Sequence, residues 1–191
     1  KHLLDEAEVA CLCSVMSRFP VRVLSLAECG LDSLTLSILG AWVASPTSAV
    51  VADLNISEAV IGDAGATLVE TISASSSLEF ITIGKGLRLP LKDNYDSDVL
   101  DAAGKGIEAG GATVIAWWLT TDAAATVYKV DISMNDIGVD GAEALAAVIP
   151  GSALRCIIAG KFYSVREGAA TGVAVKKGVF ASVAGRFGQV T

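Results

Sequence analysis

Charge is what this sequence has least of. Asp, Glu, Lys and Arg make up 18% of its 191 residues, against about 25% in an average soluble domain. What charge there is leans negative, with 21 acidic and 14 basic side chains and a formal net charge of −7. No stripe of Lys and Arg runs along the chain, so nothing offers the counter-charge that a nucleic-acid backbone needs. Histidine is reduced to His2 at the terminus, which removes the commonest general base. Long hydrophobic runs are missing as well. The most apolar stretch, GGATVIAWWL at 110–119, has half of the roughly 20 residues a membrane span needs. Cys11, Cys13, Cys29 and Cys156 lack the spacing of a zinc site. They read as free, reduced, mostly buried thiols, which points to an intracellular setting, cytoplasm or organelle interior. The chain begins at Lys1, so a removed targeting peptide stays open.

What remains is apolar: 52% hydrophobic residues and a mean hydropathy of +0.58. Without a span, that material belongs to a core or to surface covered by partners. Its order is periodic. In VDISMNDIGVDGAEALAAVI (130–149), Val130, Ile132 and Met134 alternate with polar residues, as in a strand. Ala142, Leu145, Val148 and Ile149 then fall on one helical face. The first inward strand residue recurs at Leu24, Leu54, Ile81, Leu100, Val130 and Ile157. Helical segments follow four of these, over 32–44, 63–74, 108–119 and 139–149. After Ile81 the next strand comes too soon for a full helix, and GLRLPLKDNYDSD reads as a loop around Pro90 and the polar cluster 92–98.

The spacing itself repeats. Without a gap, residues 24–87 fall on 100–163. Matched pairs include Gly30 with Gly106, Trp42 with Trp118, Ile56 with Ile132, Gly62 with Gly138, Gly65 with Gly141, Ile81 with Ile157 and Lys85 with Lys161. Composition alone would not pair the Trp and Lys residues, so an internal duplication of a three-unit block is expected. Residues 2–18 form an amphipathic helix with Leu4, Ala7, Val9, Ala10 and Val15 on its apolar face, suited to cap the open first layer of a stack. The C-terminal GVAVKKGVFASVAGRFGQVT alternates instead, as one strand or as two that could pair in a hairpin.

VYKVDISMNDIGVDGAEALAAVI and VVADLNISEAVIGDAGATLVETI resemble leucine-rich repeats of the ribonuclease-inhibitor type. The resemblance covers roughly 21–160. It implies an α/β fold, a short leucine-rich-repeat solenoid with parallel strands on the concave side and helices on the convex side. An N-terminal helical cap would occupy 1–20. The solenoid would run over 21–163 as two related three-unit blocks, about 24–87 and 100–163. A small C-terminal β extension, or the start of a further module, would take 164–191; its last 16 residues weakly resemble an SH3-like β module. Gly65-Ala66 and Gly141-Ala142 are small enough to let each helix approach its strand. The family's turn asparagine falls at Cys29, Ala59, Gly86, Lys105 and Asn135, and only Asn135 fits fully. The turns at 59 and 86 are therefore expected to be looser or to use water.

No catalytic set is expected, and no cofactor or metal. GKGIEAGG at 104–111 has a phosphate loop's glycine density without its order, and a repeat turn explains it. Asp53, Asp101 and Asp131 sit on or beside outward strand positions, either as a mildly acidic face or as ordinary solvated groups offset in part by Lys129. Trp42 and Trp118 read as core-edge residues. Trp117 matches Ala41, Thr71 and Ala147 on the outer side of the helix, either as a covered surface residue or as a partner anchor; the anchor is preferred because so little charge surrounds it. Phe162 and Tyr163 end the last clear strand and are a second candidate patch. Lys92, Asp93 and Asn94 lie in the irregular connection 88–98. The expected role is a non-catalytic protein-interaction or structural accessory subunit of a larger assembly. Its partners would be other protein subunits, with no nucleic acid and no transmembrane segment of its own. The alternative is a regulator of a partner enzyme, an inhibitor or a GTPase-activating type.

Overall fold

The computed structural model describes residues 3–46 and 50–160, and the backbone alone of 180–183 and 186–189. Phe162, Tyr163 and the other residues between Gly160 and Phe180 lie outside the described part.

The chain alternates short strands and helices. In order they are α1 (Glu6–Met16), β1 (Val23–Ser25), α2 (Ser33–Val43), β2 (Asp53–Asn55), α3 (Gly65–Ala74), β3 (Phe80–Ile83), β4 (Leu87–Pro90), β5 (Val99–Asp101), α4 (Ala109–Trp118), β6 (Lys129–Asp131), α5 (Gly138–Val148), β7 (Cys156–Ile158), β8 (Phe180–Val183) and β9 (Arg186–Gln189). Strands β1, β2 and β3 pair in parallel with Leu24, Leu54 and Ile81 in register. Strands β5, β6 and β7 do the same with Leu100, Val130 and Ile157. All six of these side chains are buried in one core cluster, because alternation turns every second residue of a strand inward. Neighbouring helices pack from α1 through α5 in sequence order. Strands β8 and β9 form an antiparallel pair.

An offset of 76 residues carries Val23 onto Val99 at the start of β1 and β5, and Asp53 onto Lys129 at the start of β2 and β6. The left-handed turn residues follow it: Glu28 and Gly104, Gly30 and Gly106, Glu58 and Met134, Gly62 and Gly138, Gly84 and Gly160. Hydrogen bonds follow it too. Leu26 N–H donates to the Asn55 carbonyl at 2.8 Å, as Ala102 does to Asp131 at 2.8 Å; Ile56 donates to Thr82 at 2.9 Å, as Ile132 does to Ile158 at 2.8 Å. The repeat is therefore one of backbone conformation as well as of residue type.

Three expectations need correction. The stretch after Ile83 is not simply a loop. Its first residues form β4, which pairs antiparallel with β3 from Phe80 against Pro90 to Ile83 against Leu87. Gly84 and Gly86, both at positive φ, make the reversal that L residues with a Cβ resist. The parallel sheet stops there, so the strands form a four-stranded sheet, β1 to β4, and a three-stranded one, β5 to β7. The turn at 86 is thus a hairpin turn rather than a repeat turn, and the turn at 59 closes on backbone, with Ala59 N–H on the Ile56 carbonyl and Val60 N–H on the Leu31 carbonyl. Second, α1 begins at Glu6, where the Asp5 side chain and Glu8 cap each other's backbone. Its buried residues are Val9, Cys13 and Met16, at helical spacing, whereas Ala7, Ala10 and Val15 face out. Third, the small residues bring helix to helix. Gly65 at the start of α3 lies against the Gly110 backbone of α4, and Gly141 of α5 lies against Ala112 and Ala109. Ala66 is exposed.

Candidate interaction surface

The strand residues that alternate with the core-facing ones lie on the other side of each of the two sheets, most of them at least partly exposed, with Thr82 and Pro90 buried. Val23 and Ser25 stand on β1, Asp53 and Asn55 on β2, Phe80 and Thr82 on β3, Arg88 and Pro90 on β4, Val99 and Asp101 on β5, and Lys129 and Asp131 on β6. Where β4 meets the following segment, this face holds an open cavity of about 350 Å³ lined by Phe80, Arg88, Pro90, Asp93, Asn94, Tyr95 and Asp96.

Its walls are tied down. Arg88 donates to Asp53 Oδ2 at 2.7 Å, and its guanidinium lies 3.6 Å above the Phe80 ring centroid, a cation–π contact. Tyr95 packs edge-on against Trp118, with centroids 5.3 Å apart at 83°, and its N–H donates to the Ala123 carbonyl at 2.8 Å. The fully buried Trp118 donates its indole N–H to the Pro90 carbonyl at 2.6 Å. Trp42, its partner at the offset of 76, is also buried and donates to Ser17 Oγ at 2.8 Å. Each tryptophan thus fastens the segment that enters its own block, the end of α1 for the first and the hairpin for the second. Burial raises the Tyr95 phenol above its ordinary value, and the charges of Asp101 and Asp96 raise it further.

Of the residues picked from sequence, Asp93 and Asn94 line this cavity and are exposed. Lys92 turns away and donates to the Ser76 carbonyl at 2.6 Å. Asp101 and Asp131 sit side by side in the β5–β6 register. Each also closes the turn that follows it: Asp101 Oδ1 accepts from Ala103 N–H at 3.1 Å, and Asp131 Oδ1 accepts from Ser133 N–H at 3.0 Å and its hydroxyl at 2.6 Å. Trp117 is half-buried on α4, packed on the edge of the core and far from the strand face in the layer order. Ala41 and Ala147, its counterparts, are exposed, and Thr71 is buried. Phe162 and Tyr163 lie outside the described residues. Sequence reasoning missed Phe80 as a surface group and did not single out Arg88, Tyr95 or Asp96. The signal was Gly84-Lys85-Gly86 between two apolar runs, a three-residue hairpin pattern that sets Phe80 and Arg88 on one face.

Among the described residues no group of three His, Cys, Asp or Glu side chains could hold a metal ion. No helix of the described residues is long and apolar enough to cross a membrane. All four cysteines are free; Cys13 is buried, Cys29 and Cys156 are half-buried, and Cys11 is exposed.

The Leucine Rich repeat family model matches residues 125–146, the stretch that spans β6, the Asn135 turn and most of α5. No curated protein matches the chain. Proteins built on this repeat bind other proteins in general.

Proposed function

We propose that the chain is a non-catalytic protein-interaction or accessory subunit that docks a partner on its strand face. The observation that carries the reading is the pre-organised cavity on that face, walled by the Phe80–Arg88 stack and the anchored Tyr95. Rigid walls favour binding because little side-chain freedom remains to be lost. In this reading the fold is a short solenoid of the ribonuclease-inhibitor type, an internally duplicated three-unit block with its strands on the concave side. Helix α1 is its N-terminal cap and the β8–β9 pair belongs to a C-terminal extension. The free thiols fit an intracellular setting.

A second reading, regulator of a partner enzyme, is favoured by the same rim, where Asp93 and Asn94 project from a segment fixed by Tyr95.

The test is co-purification from the native source with two variants. Arg88→Glu reverses a charge on the strand face, and Ala147→Glu adds one on the helix side. The partner is lost with the first and kept with the second. Loss with neither, or with the helix-side variant alone, refutes docking on the strand face.

A further inference from the structure

One rung of hydrogen bonds is present in the second block and missing from the first. In the second block the Asn135 side chain joins two units. Its Oδ1 accepts from the Ile107 N–H at 2.9 Å, and its Nδ2 donates to the carbonyls of Ala102 at 2.7 Å, Ile132 at 3.0 Å and Ser133 at 3.1 Å. The offset of 76 carries these partners back onto Leu31, Leu26, Ile56 and Ser57, and Asn135 itself onto Ala59. A methyl group cannot take the amide's part. Leu31 is 0% exposed, and its N–H meets no acceptor among the described residues. The Leu26 carbonyl keeps only the Cys29 N–H, at 3.4 Å.

The frame around Ala59 has not closed up to compensate. The Ile56 N–H reaches the Thr82 carbonyl at 2.9 Å where Ile132 reaches Ile158 at 2.8 Å, and the Glu58 N–H reaches Gly84 at 2.8 Å where Met134 reaches Gly160 at 2.8 Å. Glu58 and Met134 hold φ at +61° and +62°. Two turns this alike enclose the same space. Asn135 extends an amide into it, whereas Ala59 reaches only as far as its Cβ. Around that space stand one N–H donor and three carbonyl oxygens. A buried backbone N–H is almost never left without an acceptor in a native fold, and a carbonyl oxygen has a second lone pair to offer. An anion does not suit the site, because the carbonyl oxygens repel it. A cation does not, because the Leu31 N–H points its hydrogen at it. A small neutral molecule that accepts once and donates twice suits both, and water does so with the three bonds typical of a buried site.

We propose that the Ala59 turn binds one buried water molecule, which accepts from the Leu31 N–H, donates to the Leu26 and Ile56 carbonyls, and so stands in for the amide of Asn135. The site lies inside the turn and is independent of docking on the strand face.

The test is amide-to-water cross-relaxation by NMR on the isotope-labelled whole chain. Wild type shows a water cross-peak at the Leu31 amide and none at the Ile107 amide, which Asn135 covers. Ala59→Asn restores the amide and removes the Leu31 peak. Asn135→Ala opens the matching space and creates a peak at Ile107. A Leu31 amide with no peak in wild type overturns the proposal. So does a peak that survives Ala59→Asn, since it then comes from a proton outside the amide's space, such as the Ser57 hydroxyl. A crystal structure of wild type gives a reading that depends on no variant. A solvent peak within about 3.2 Å of the Leu31 nitrogen is expected, and a protein oxygen in that place refutes the site.

Discussion

Helices α3 and α4 meet through glycine at the junction of the two blocks, and a single methyl group tests that contact. Gly110 is the second residue of α4. A Cβ built there lands on the Gly62 carbonyl oxygen, 2.8 Å from Ile61 Cγ2 and 3.1 Å from the Gly62 nitrogen. Two of these atoms are backbone, and Gly62 is held at φ +46°, so no rotamer change clears the space. Helix α4 has to move off α3, which also strains Gly65, whose own Cβ position is 2.8 Å from the Gly110 Cα. Overpacking of this kind costs about 1–3 kcal/mol. Alanine returns less than about 1 kcal/mol through helix propensity, and less still in the first turn. Gly110→Ala is therefore destabilising by about 2 kcal/mol, or roughly 4–8 °C in melting temperature for a chain of this length. Urea and thermal unfolding followed by circular dichroism measure it. Gly151→Ala, with nothing within 4 Å of its Cβ position, is the control and stays within about 0.5 kcal/mol of wild type. Gly65→Ala meets the same contact from the other side, so the double variant costs less than the two singles together. A Gly110→Ala chain as stable as wild type would refute the claim that the blocks meet backbone to backbone.

Three further outcomes follow from the turns and caps. Asn135→Ala strips the Ile107 N–H of its acceptor at 2.9 Å and the Ala102 carbonyl of the nearer of its two donors, at 2.7 Å, costing about 2–4 kcal/mol in urea unfolding. Cys29→Ala removes one sulfur contact to the Ala27 carbonyl at 3.6 Å and costs under about 1 kcal/mol; equal costs would mean that Asn135 does not bridge the units. Burial raises the Cys13 thiol, so its stabilising contribution is full below the unfolded thiol pKa and lost as pH rises through the folded value. Stability falls on the alkaline side, Cys13→Ala lessens that fall, and a thiol reagent at neutral pH modifies exposed Cys11 first; an unchanged alkaline slope would count against it. The Asp32 carboxyl is held below the usual range by the Thr35 N–H and then by its hydroxyl. That contribution is present above the unfolded carboxyl pKa and lost as pH falls through the folded value, so Asp32→Asn flattens the acid limb of the stability curve, and an unaltered limb would contradict the assignment.

The parallel framework was legible because one residue per unit carries it. Leu24, Leu54, Ile81, Leu100, Val130 and Ile157 can be read as a spacing, and each is the inward centre of its strand. The ends of α2 to α5 were legible within about two residues, helped by polar caps such as Asp32, whereas α1 starts four residues later than expected. Burial around α1 was less so, because a helix of Ala, Val, Leu and Cys offers several faces of similar hydrophobicity, and the choice of Val9, Cys13 and Met16 is made by what α2 presents. Asp93 and Asn94 line the cavity from the segment that the sequence marks as irregular among regular units. Phe80 was not, because inside a repeat it reads as one more strand residue. Only the pairing of β3 with β4, a contact across the Gly84–Gly86 turn, makes it the platform for Arg88.

That pairing also explains why the cavity sits at the junction of the blocks. A parallel strand whose successor arrives too early for a crossover helix would leave its free edge unpaired, which is costly when buried. The chain answers by folding back on itself: β4 satisfies β3 from the other side with only three residues between them. The helix layer meanwhile stays continuous, α3 against α4 through Gly65 and Gly110. The junction therefore has an extra strand on one side and no extra helix on the other. The chain that leaves β4 must then cross the strand side before β5, and it does so as the acidic segment 93–98, fixed by Tyr95 on Trp118. An edge-satisfying hairpin and a glycine contact that keeps the helices together are thus enough to place an open, negatively charged hollow in the middle of an otherwise regular strand face.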